Sequence, residues 1–203
     1  GALFFLFAFI QANMMTPIMS SLQEYFQVGS REIGLLSAIF FYANVLFLLP
    51  AGLLLDRFSV RKIMLFNLML AIIGTLLFAR AESFLMAGGA RFLSGIIMSF
   101  GLLACLKLAS LCLPPQKMAL ASSLIVTIGM VGGVLAQTPI TLLIANYTWR
   151  GALMGVAFFG VLITFVIWSF VKIKETKTEG NKPALKISVW QSLKTVMKQP
   201  QNW

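Results

Sequence analysis

Long apolar segments, separated by short polar ones, run along most of this sequence. A helix that crosses a hydrocarbon core of about 30 Å needs roughly 20 predominantly apolar residues. Six segments have a suitable composition, and we predict a transmembrane helix in each: residues 1–23, 33–55, 63–79, 83–106, 118–145 and 151–171. The predicted fold class is therefore an all-α membrane protein, with residues 1–171 forming one bundle of six helices.

Residues 172–203 differ from the rest of the chain because they are basic and polar. Near the end of this segment Trp190, Leu193 and Met197 recur at helical spacing beside two lysines. That pattern is typical of a short helix lying on a membrane surface. A linker without fixed structure fits the composition equally well, so both interpretations stay open.

The fourth apolar segment is interrupted by positive charge. Only 15 residues separate Arg91 from Lys107, too few to span a membrane, so one of these two cations lies within the membrane region. A span over 83–106 places Arg91 roughly 13 Å from the preceding acidic residue at about 1.5 Å per residue, near mid-membrane. A span over 92–116 would instead bury Lys107, whose long side chain could reach the surface. We predict a buried Arg91, since Lys107 lies nearer an end.

The composition supports a membrane protein. Apolar residues make up 59% of the chain and charged residues 11%, whereas soluble domains average about 45–50% and 25%. The formal net charge of +10 would suggest a nucleic-acid partner in a soluble protein. Here most cations lie in the short segments between apolar ones and in residues 172–203. The excess of lysine and arginine in cytoplasmic loops of membrane proteins explains this distribution better. We predict a lipid bilayer as partner and no nucleic acid.

The distribution of cations also predicts an orientation. Cytoplasmic loops of membrane proteins carry an excess of lysine and arginine. One predicted side holds the seven lysines of 172–203 together with five other cations: Arg57, Arg61, Lys62, Lys107 and Lys117. The other side holds Arg31, Arg80 and Arg150. We therefore predict a multi-pass protein of the cytoplasmic (inner) membrane, with both ends of this chain in the cytoplasm.

The residue types present argue against an enzyme. The chain contains no histidine, which removes Ser-His and Cys-His catalysis and most zinc sites. Cys105 and Cys112 would lie roughly 10 Å apart on one helix, too far to form a disulfide. None of the six apolar segments contains a carboxylate. We predict no catalytic residue, no metal site and no cofactor.

The stretch from Gly52 to Lys62 interrupts two apolar segments with a glycine, an acid and three cations. A generic basic loop would account for the cations alone. The whole pattern resembles the helix 2–3 signature of the major facilitator superfamily, Gly-x-x-x-Asp-Arg-x-Gly-x-Arg-Arg/Lys. Five positions match this signature: Gly52, Asp56, Arg57, Arg61 and Lys62. Ser59 replaces the usual second glycine.

A second element in the fourth segment, Arg91-Phe-Leu-Ser-Gly95, is similar to the family's Arg-x-x-x-Gly element. The resemblance covers the whole chain and implies the six-helix N-terminal half of a twelve-helix transporter. Such halves are built from 3+3 inverted repeats, with solute bound near the midplane between the halves. Residues 172–203 would then lead to a C-terminal half that this sequence does not include.

The resemblance also implies a gating role for the first motif. Gly52 would allow a helix of the C-terminal half to approach closely. Asp56 would meet the N-terminus of that helix, where a carboxylate is favoured. Arg57 and Arg61 would hold Asp56 in a charged network. In the fifth segment Gly129 and Gly133 form a small-xxx-small face that predicts close helix packing, and we assign Gly95 and Pro139 to helix packing as well.

Polar residues inside a membrane are candidates for function because burying them in lipid is costly. Arg91 could bind an anionic solute in a bidentate manner, or it could bond to helix-end carbonyls and neighbouring side chains. Four further residues are predicted to line the same cavity: Gln11, Asn13, Tyr42 and Gln137. Interhelical hydrogen bonds are an equally good interpretation for Asn13 and Asn44.

The sequence therefore predicts a secondary transporter, a symporter or uniporter, that moves a small organic solute by alternating access. The buried arginine suggests that the solute is anionic. A membrane-embedded sensor with the same fold and no transport is the alternative.

Overall fold

The computed structural model describes residues 1–170, and the predictions for 172–203 fall outside them. The described residues form seven α-helices and one short 3-10 turn at Pro115–Lys117. In chain order the helices are α1 (Ala2–Asn13), α2 (Met15–Phe26), α3 (Ser30–Arg57), α4 (Val60–Ala79), α5 (Phe84–Cys112), α6 (Met118–Asn146) and α7 (Trp149–Phe170). Helices α1 and α2 together make one span, so this part of the chain has six helices long and apolar enough to cross a membrane. The predicted all-α fold class is confirmed.

The first predicted helix is not continuous, which corrects the expectation of one helix over 1–23. It breaks at Met14, between α1 and α2. Pro17 explains the break. Proline has no N–H to donate to the carbonyl four residues earlier, which is that of Asn13, and its ring crowds that carbonyl. The sequence contained this signal, but the uniform apolar character of the segment concealed it.

Three predicted helix boundaries are also corrected. The second predicted helix ends at residue 55 and the third begins at residue 63, whereas the structure leaves only Phe58 and Ser59 between α3 and α4. Arginine and lysine are good helix formers, so α3 and α4 continue through their charged ends. Helix α5 is 29 residues long and carries both Arg91 and Lys107, so the predicted end at residue 106 was too early.

The spans pack as a row with a second layer behind it. Helix α3 packs along α5, α5 along α1, and α1 along α6, which forms the row. Helices α4 and α7 pack against each other behind it, with α4 resting on α5. In a 3+3 inverted repeat the first span corresponds to the fourth and the second span to the fifth. The packing of the first span on the fifth (α1 on α6) then corresponds to the packing of the fourth span on the second (α5 on α3). Both of these helix pairs pack closely in this structure.

Both of these pairs depend on a glycine. A Cβ atom on Gly95 of α5 would overlap the carbonyl oxygen of Phe40 in α3. A Cβ atom on Gly132 of α6 would overlap the carbonyl oxygen of Leu6 in α1. Small residues permit such close approach of helix backbones in membranes. Each closely packed pair therefore has one position that no side chain can occupy.

The packing residues chosen from the sequence in α6 need one correction. Gly132, which lies between the two predicted glycines, makes the closest approach to α1. At Gly129 a Cβ atom would lie 2.6 Å from the Phe5 ring, and at Gly133 it would make only an ordinary contact, 3.5 Å from Asn13. Pro139 lies on an exposed face, beside a shallow groove between α6 and α7.

Candidate functional site

Arg91 lies at the centre of the bundle and is completely buried, with 0% of its surface exposed. Its Nη1 donates a hydrogen bond of 3.0 Å to the backbone carbonyl of Gln11, in the last turn of α1. The guanidinium carbon lies 4.6 Å from the ring centroid of Phe40 and 5.9 Å from that of Phe78. Aromatic faces attract cations, more strongly where water is excluded, so both rings contribute to holding this charge in place.

Two further polar side chains complete the cluster around Arg91. The Nε2 of Gln11 donates to the Oγ1 of Thr75 at 2.7 Å, and Thr75 donates in turn to the carbonyl of Ala71 at 2.8 Å. Both side chains are fully buried. We call Arg91, Gln11 and Thr75 the arginine cluster; it joins α1, α4 and α5 in the middle of the bundle.

Part of this cluster has no hydrogen-bond partner in the described structure. The unpaired atoms are Nε and Nη2 of Arg91 and Oε1 of Gln11. The carboxylates of the described residues all lie near helix ends or turns, and none is buried: Glu24, Glu32, Asp56 and Glu82. A buried charge without a partner is costly. Nε and Nη2 of Arg91 therefore have hydrogen-bonding capacity that the described residues leave unused.

The structure does not bring the other predicted cavity residues to Arg91. Asn13 donates to the carbonyl of Phe9 at 2.9 Å within its own helix, so this bond is not interhelical. Tyr42 is 65% exposed, and Gln137 is exposed on α6. Of the four residues grouped with Arg91, only Gln11 bonds to it among the described contacts. Tyr42 and Gln137 line surfaces that this part of the chain leaves uncovered, whereas Asn13 is half-buried.

Thr75 was not selected from the sequence. It is one hydroxyl in an otherwise apolar helix, and such threonines often bond only to their own backbone. Thr75 does so as well, but it also accepts the bond from Gln11. The only available signal was a polar side chain in the middle of a predicted span.

The motif between α3 and α4 forms a different ion pair from the one that the resemblance implied. Asp56 Oδ1 lies 2.9 Å from Nζ of Lys107, which also donates to the carbonyl of Leu55 in the last turn of α3. Arg61 instead donates through Nη2 to the carbonyl of Trp168 in α7. Packing explains the difference, because α5 brings Lys107 beside α3 while α4 packs against α7.

Other residues of the motif face outward. Arg57 is exposed at the end of α3. A Cβ atom on Gly52 would meet nothing within 4 Å among the described residues, so this side of α3 is open. We call the end of the bundle that carries Asp56, Lys107 and the α3–α4 turn the motif end.

A second arginine, Arg150, contacts two other helices at the opposite end of the bundle. Nε of Arg150 donates to the carbonyl of Ala79 at 3.1 Å, and Nη2 donates to the hydroxyl of Tyr25 at 2.7 Å. Its guanidinium carbon also lies 4.5 Å from the Tyr25 ring centroid and 5.0 Å from that of Trp149. Arg150 thereby links the ends of α2, α4 and α7. No pattern in the sequence indicated these contacts.

Among the described residues, six apolar spans surround one buried cation, which defines a multi-pass membrane protein. The chain belongs to the Major Facilitator Superfamily, whose family model matches residues 1–203. It is similar to the uncharacterized transporter YybO of Bacillus subtilis (strain 168), with 27% identity over 165 residues. That match covers 81% of this chain and 38% of the relative, so the chain spans well under half of the relative's length.

The family suggested by the Gly52–Lys62 motif is thereby confirmed. Membership of this family also argues in general against an enzyme.

Proposed function

We propose that this chain is the N-terminal half of a secondary transporter that moves a small organic anion across the cytoplasmic membrane by alternating access. The family and the name of the relative support transport. Arg91 carries the proposal of an anionic solute: it is fully buried, two of its nitrogens are unpaired, and the described residues place no carboxylate beside it.

The pattern of free donors suits a carboxylate. Nε and Nη2 lie along one edge of the planar guanidinium, and two parallel N–H groups bind the two oxygens of a carboxylate as a fork. Nη1, the remaining terminal nitrogen, is held by the carbonyl of Gln11. The protein therefore fixes one edge of Arg91 and leaves the other edge for the solute.

Access to Arg91 requires movement, because the arginine has no exposed surface in this structure. Alternating access supplies such movement when one half rocks against the other. The break at Met14 lies three residues after Gln11. A shift between α1 and α2 at this break would move the carbonyl that holds Arg91, which links opening to solute binding.

We place the motif end in the cytoplasm. Five cations lie at or near this end in the described residues: Arg57, Arg61, Lys62, Lys107 and Lys117. Excess positive charge marks the cytoplasmic side of membrane proteins.

The experiment is counterflow in proteoliposomes that contain the full-length protein, with a panel of labelled mono- and dicarboxylates as probes. We expect uptake of at least one carboxylate and its loss in Arg91→Ala, while the exposed-arginine control Arg80→Ala transports at the wild-type rate. Wild-type flux in a folded Arg91→Ala variant would remove Arg91 from the site. Saturable binding without flux would instead indicate a sensor.

A further inference from the structure

A groove opens between α3 and α4. Both helices pack along α5, but they make little contact with each other, so α5 forms the floor of the space between them. The groove has a volume of about 310 Å³. Its walls are mainly aromatic and aliphatic, with Phe47 from α3, Phe66 from α4 and Phe100 from α5. It shares no residue with the arginine cluster, so it is independent of the proposed solute site.

One buried polar atom in this groove lacks a partner. Asn67 is 2% exposed and lines the groove. Its Nδ2 donates to the carbonyl of Ile63 at 2.9 Å, which fixes the orientation of the amide, and its Oδ1 has no hydrogen-bond partner. Buried polar atoms are nearly always hydrogen-bonded. An amide oxygen accepts hydrogen bonds and cannot donate them. A ligand that pairs with Oδ1 must therefore carry a hydrogen-bond donor.

Positive charge lies at one end of the groove. Lys62 lines it in the first turn of α4, at the motif end. Asn67 lies five positions after Lys62, which is roughly 7.5 Å along the helix axis. The Asn67 amide folds back toward Ile63, which shortens this separation. In order from the motif end, the groove therefore presents a cation, a hydrogen-bond acceptor and an apolar channel.

We propose that this groove binds a lysophospholipid with its phosphate at Lys62, its free glycerol hydroxyl donating to Oδ1 of Asn67, and its single acyl chain between the phenylalanines. In this class of lipid the free hydroxyl is on the carbon next to the one that carries the phosphate ester, so one molecule can present both groups to the same groove. A diacyl phospholipid has an ester in place of that hydroxyl. The groove volume of about 310 Å³ lies at the small end of the range for ligand sites, roughly 300–1,000 Å³.

The first test uses the unmodified full-length protein in detergent and native mass spectrometry. The probes are a monoacyl phosphatidylglycerol, its analogue that lacks the glycerol-backbone hydroxyl, and a diacyl phosphatidylglycerol. We expect the monoacyl lipid to bind about five-fold more tightly than the analogue, as one hydrogen bond predicts. Equal binding of the two would overturn the proposal, as would preferential binding of the diacyl lipid.

Variants test whether the preference for the monoacyl lipid over its analogue arises in this groove. Asn67→Leu should abolish the difference between the monoacyl lipid and its analogue. The matched control is Asn146→Leu, because Asn146 also bonds to the carbonyl four residues earlier but lies on an exposed surface. Lys62→Gln should weaken binding of the monoacyl lipid roughly five-fold, while Arg80→Gln, at the opposite end, should not. A preference retained in Asn67→Leu would contradict the site.

Discussion

At the scale of single residues, Arg91 is held in a way that another cation could not reproduce. Its Nη1 bonds to one carbonyl while its plane lies near two aromatic rings. A lysine ammonium has neither a planar face nor a second edge for a carboxylate. The proposed site therefore depends on the shape of the guanidinium as well as on its charge.

Replacement of Arg91 by lysine separates these two properties. We expect Arg91→Lys to fold but to lower carboxylate counterflow at least ten-fold, because the forked contact is lost although the charge is kept. The measurement is initial rate in proteoliposomes with matched protein content. Arg80→Lys, at an exposed position, serves as the control. Full activity in Arg91→Lys would show that charge alone is sufficient.

Removal of the Thr75 hydroxyl tests the arginine cluster. Thr75→Val should leave the buried Nε2 of Gln11 unpaired and lower the free energy of unfolding by about 1–3 kcal/mol. Thermal unfolding in detergent measures this. Thr127→Val is the matched control, since Thr127 bonds only to the carbonyl of Ser123 on an exposed face. Similar melting temperatures for the two variants would argue that the Gln11–Thr75 bond contributes little.

The sequence predicted part of this cluster. The sequence indicated a buried Arg91, because the 15 residues between Arg91 and Lys107 in the fourth segment are too few to span a membrane. The contact of Arg91 with Gln11 joins residues 80 positions apart. That contact depends on how α1 packs against α5. A local sequence pattern does not indicate this packing.

At the scale of helices, the break in the first span is the main departure from the predicted pattern. Hydropathy reports apolar length, whereas the break depends on one missing N–H at Pro17. The break at Met14 lies three residues after Gln11, whose carbonyl holds Arg91.

Restoring the missing N–H should join α1 to α2. We expect Pro17→Ala to raise the melting temperature, because the carbonyl of Asn13 gains a partner, and to slow transport if the break takes part in opening. Thermal unfolding and counterflow on the same preparation measure both effects. Pro139→Ala, in the uninterrupted helix α6, controls for the loss of a proline elsewhere. An unchanged melting temperature in Pro17→Ala would contradict this account of the break.

The ion pair between Asp56 and Lys107 connects α3 to α5 at the motif end. The Asp56 side chain is 79% exposed and that of Lys107 is 30% exposed. We therefore expect a double-mutant cycle with alanine to give a coupling free energy below about 1 kcal/mol. The exchanged pair, Asp56→Lys with Lys107→Asp, should regain most of that stability. A coupling of several kcal/mol would mean that this pair is shielded from water.

At the scale of the whole bundle, the two ends of the row are the least covered. Only 22% of the most apolar window of α3 and 17% of that of the α6 span is buried, against 56% for α5. Lipid can cover part of these surfaces. Gly52, whose missing side chain leaves open space, lies on α3 and suits the proposed approach of a helix from the C-terminal half.

The proposed orientation can be tested by cysteine labelling. In a background with Cys105 and Cys112 replaced, Ser59→Cys should react with a membrane-impermeant thiol reagent only in inverted vesicles. Arg80→Cys, at the other end of α4, should react only in intact cells. Labelling of Ser59→Cys from outside intact cells would reverse the assignment.

The architecture was more predictable than the pairing of its parts. Apolar segments of sufficient length predict spans because lipid imposes the same requirement on each helix. The Gly52–Lys62 motif indicated the family, but not that Asp56 pairs with Lys107. The Asp56–Lys107 pair forms because α3 packs along α5. Local sequence patterns do not indicate which helix faces pack together.

The contacts of Arg150 limit how this half can deform. One side chain ties the first, third and sixth spans together at the end opposite the motif. A tilt of α7 alone would break two hydrogen bonds and separate the Arg150 guanidinium from the Tyr25 ring. We therefore expect α2, α4 and α7 to travel as a single rigid block, so that any shift at Met14 displaces α1 relative to all three.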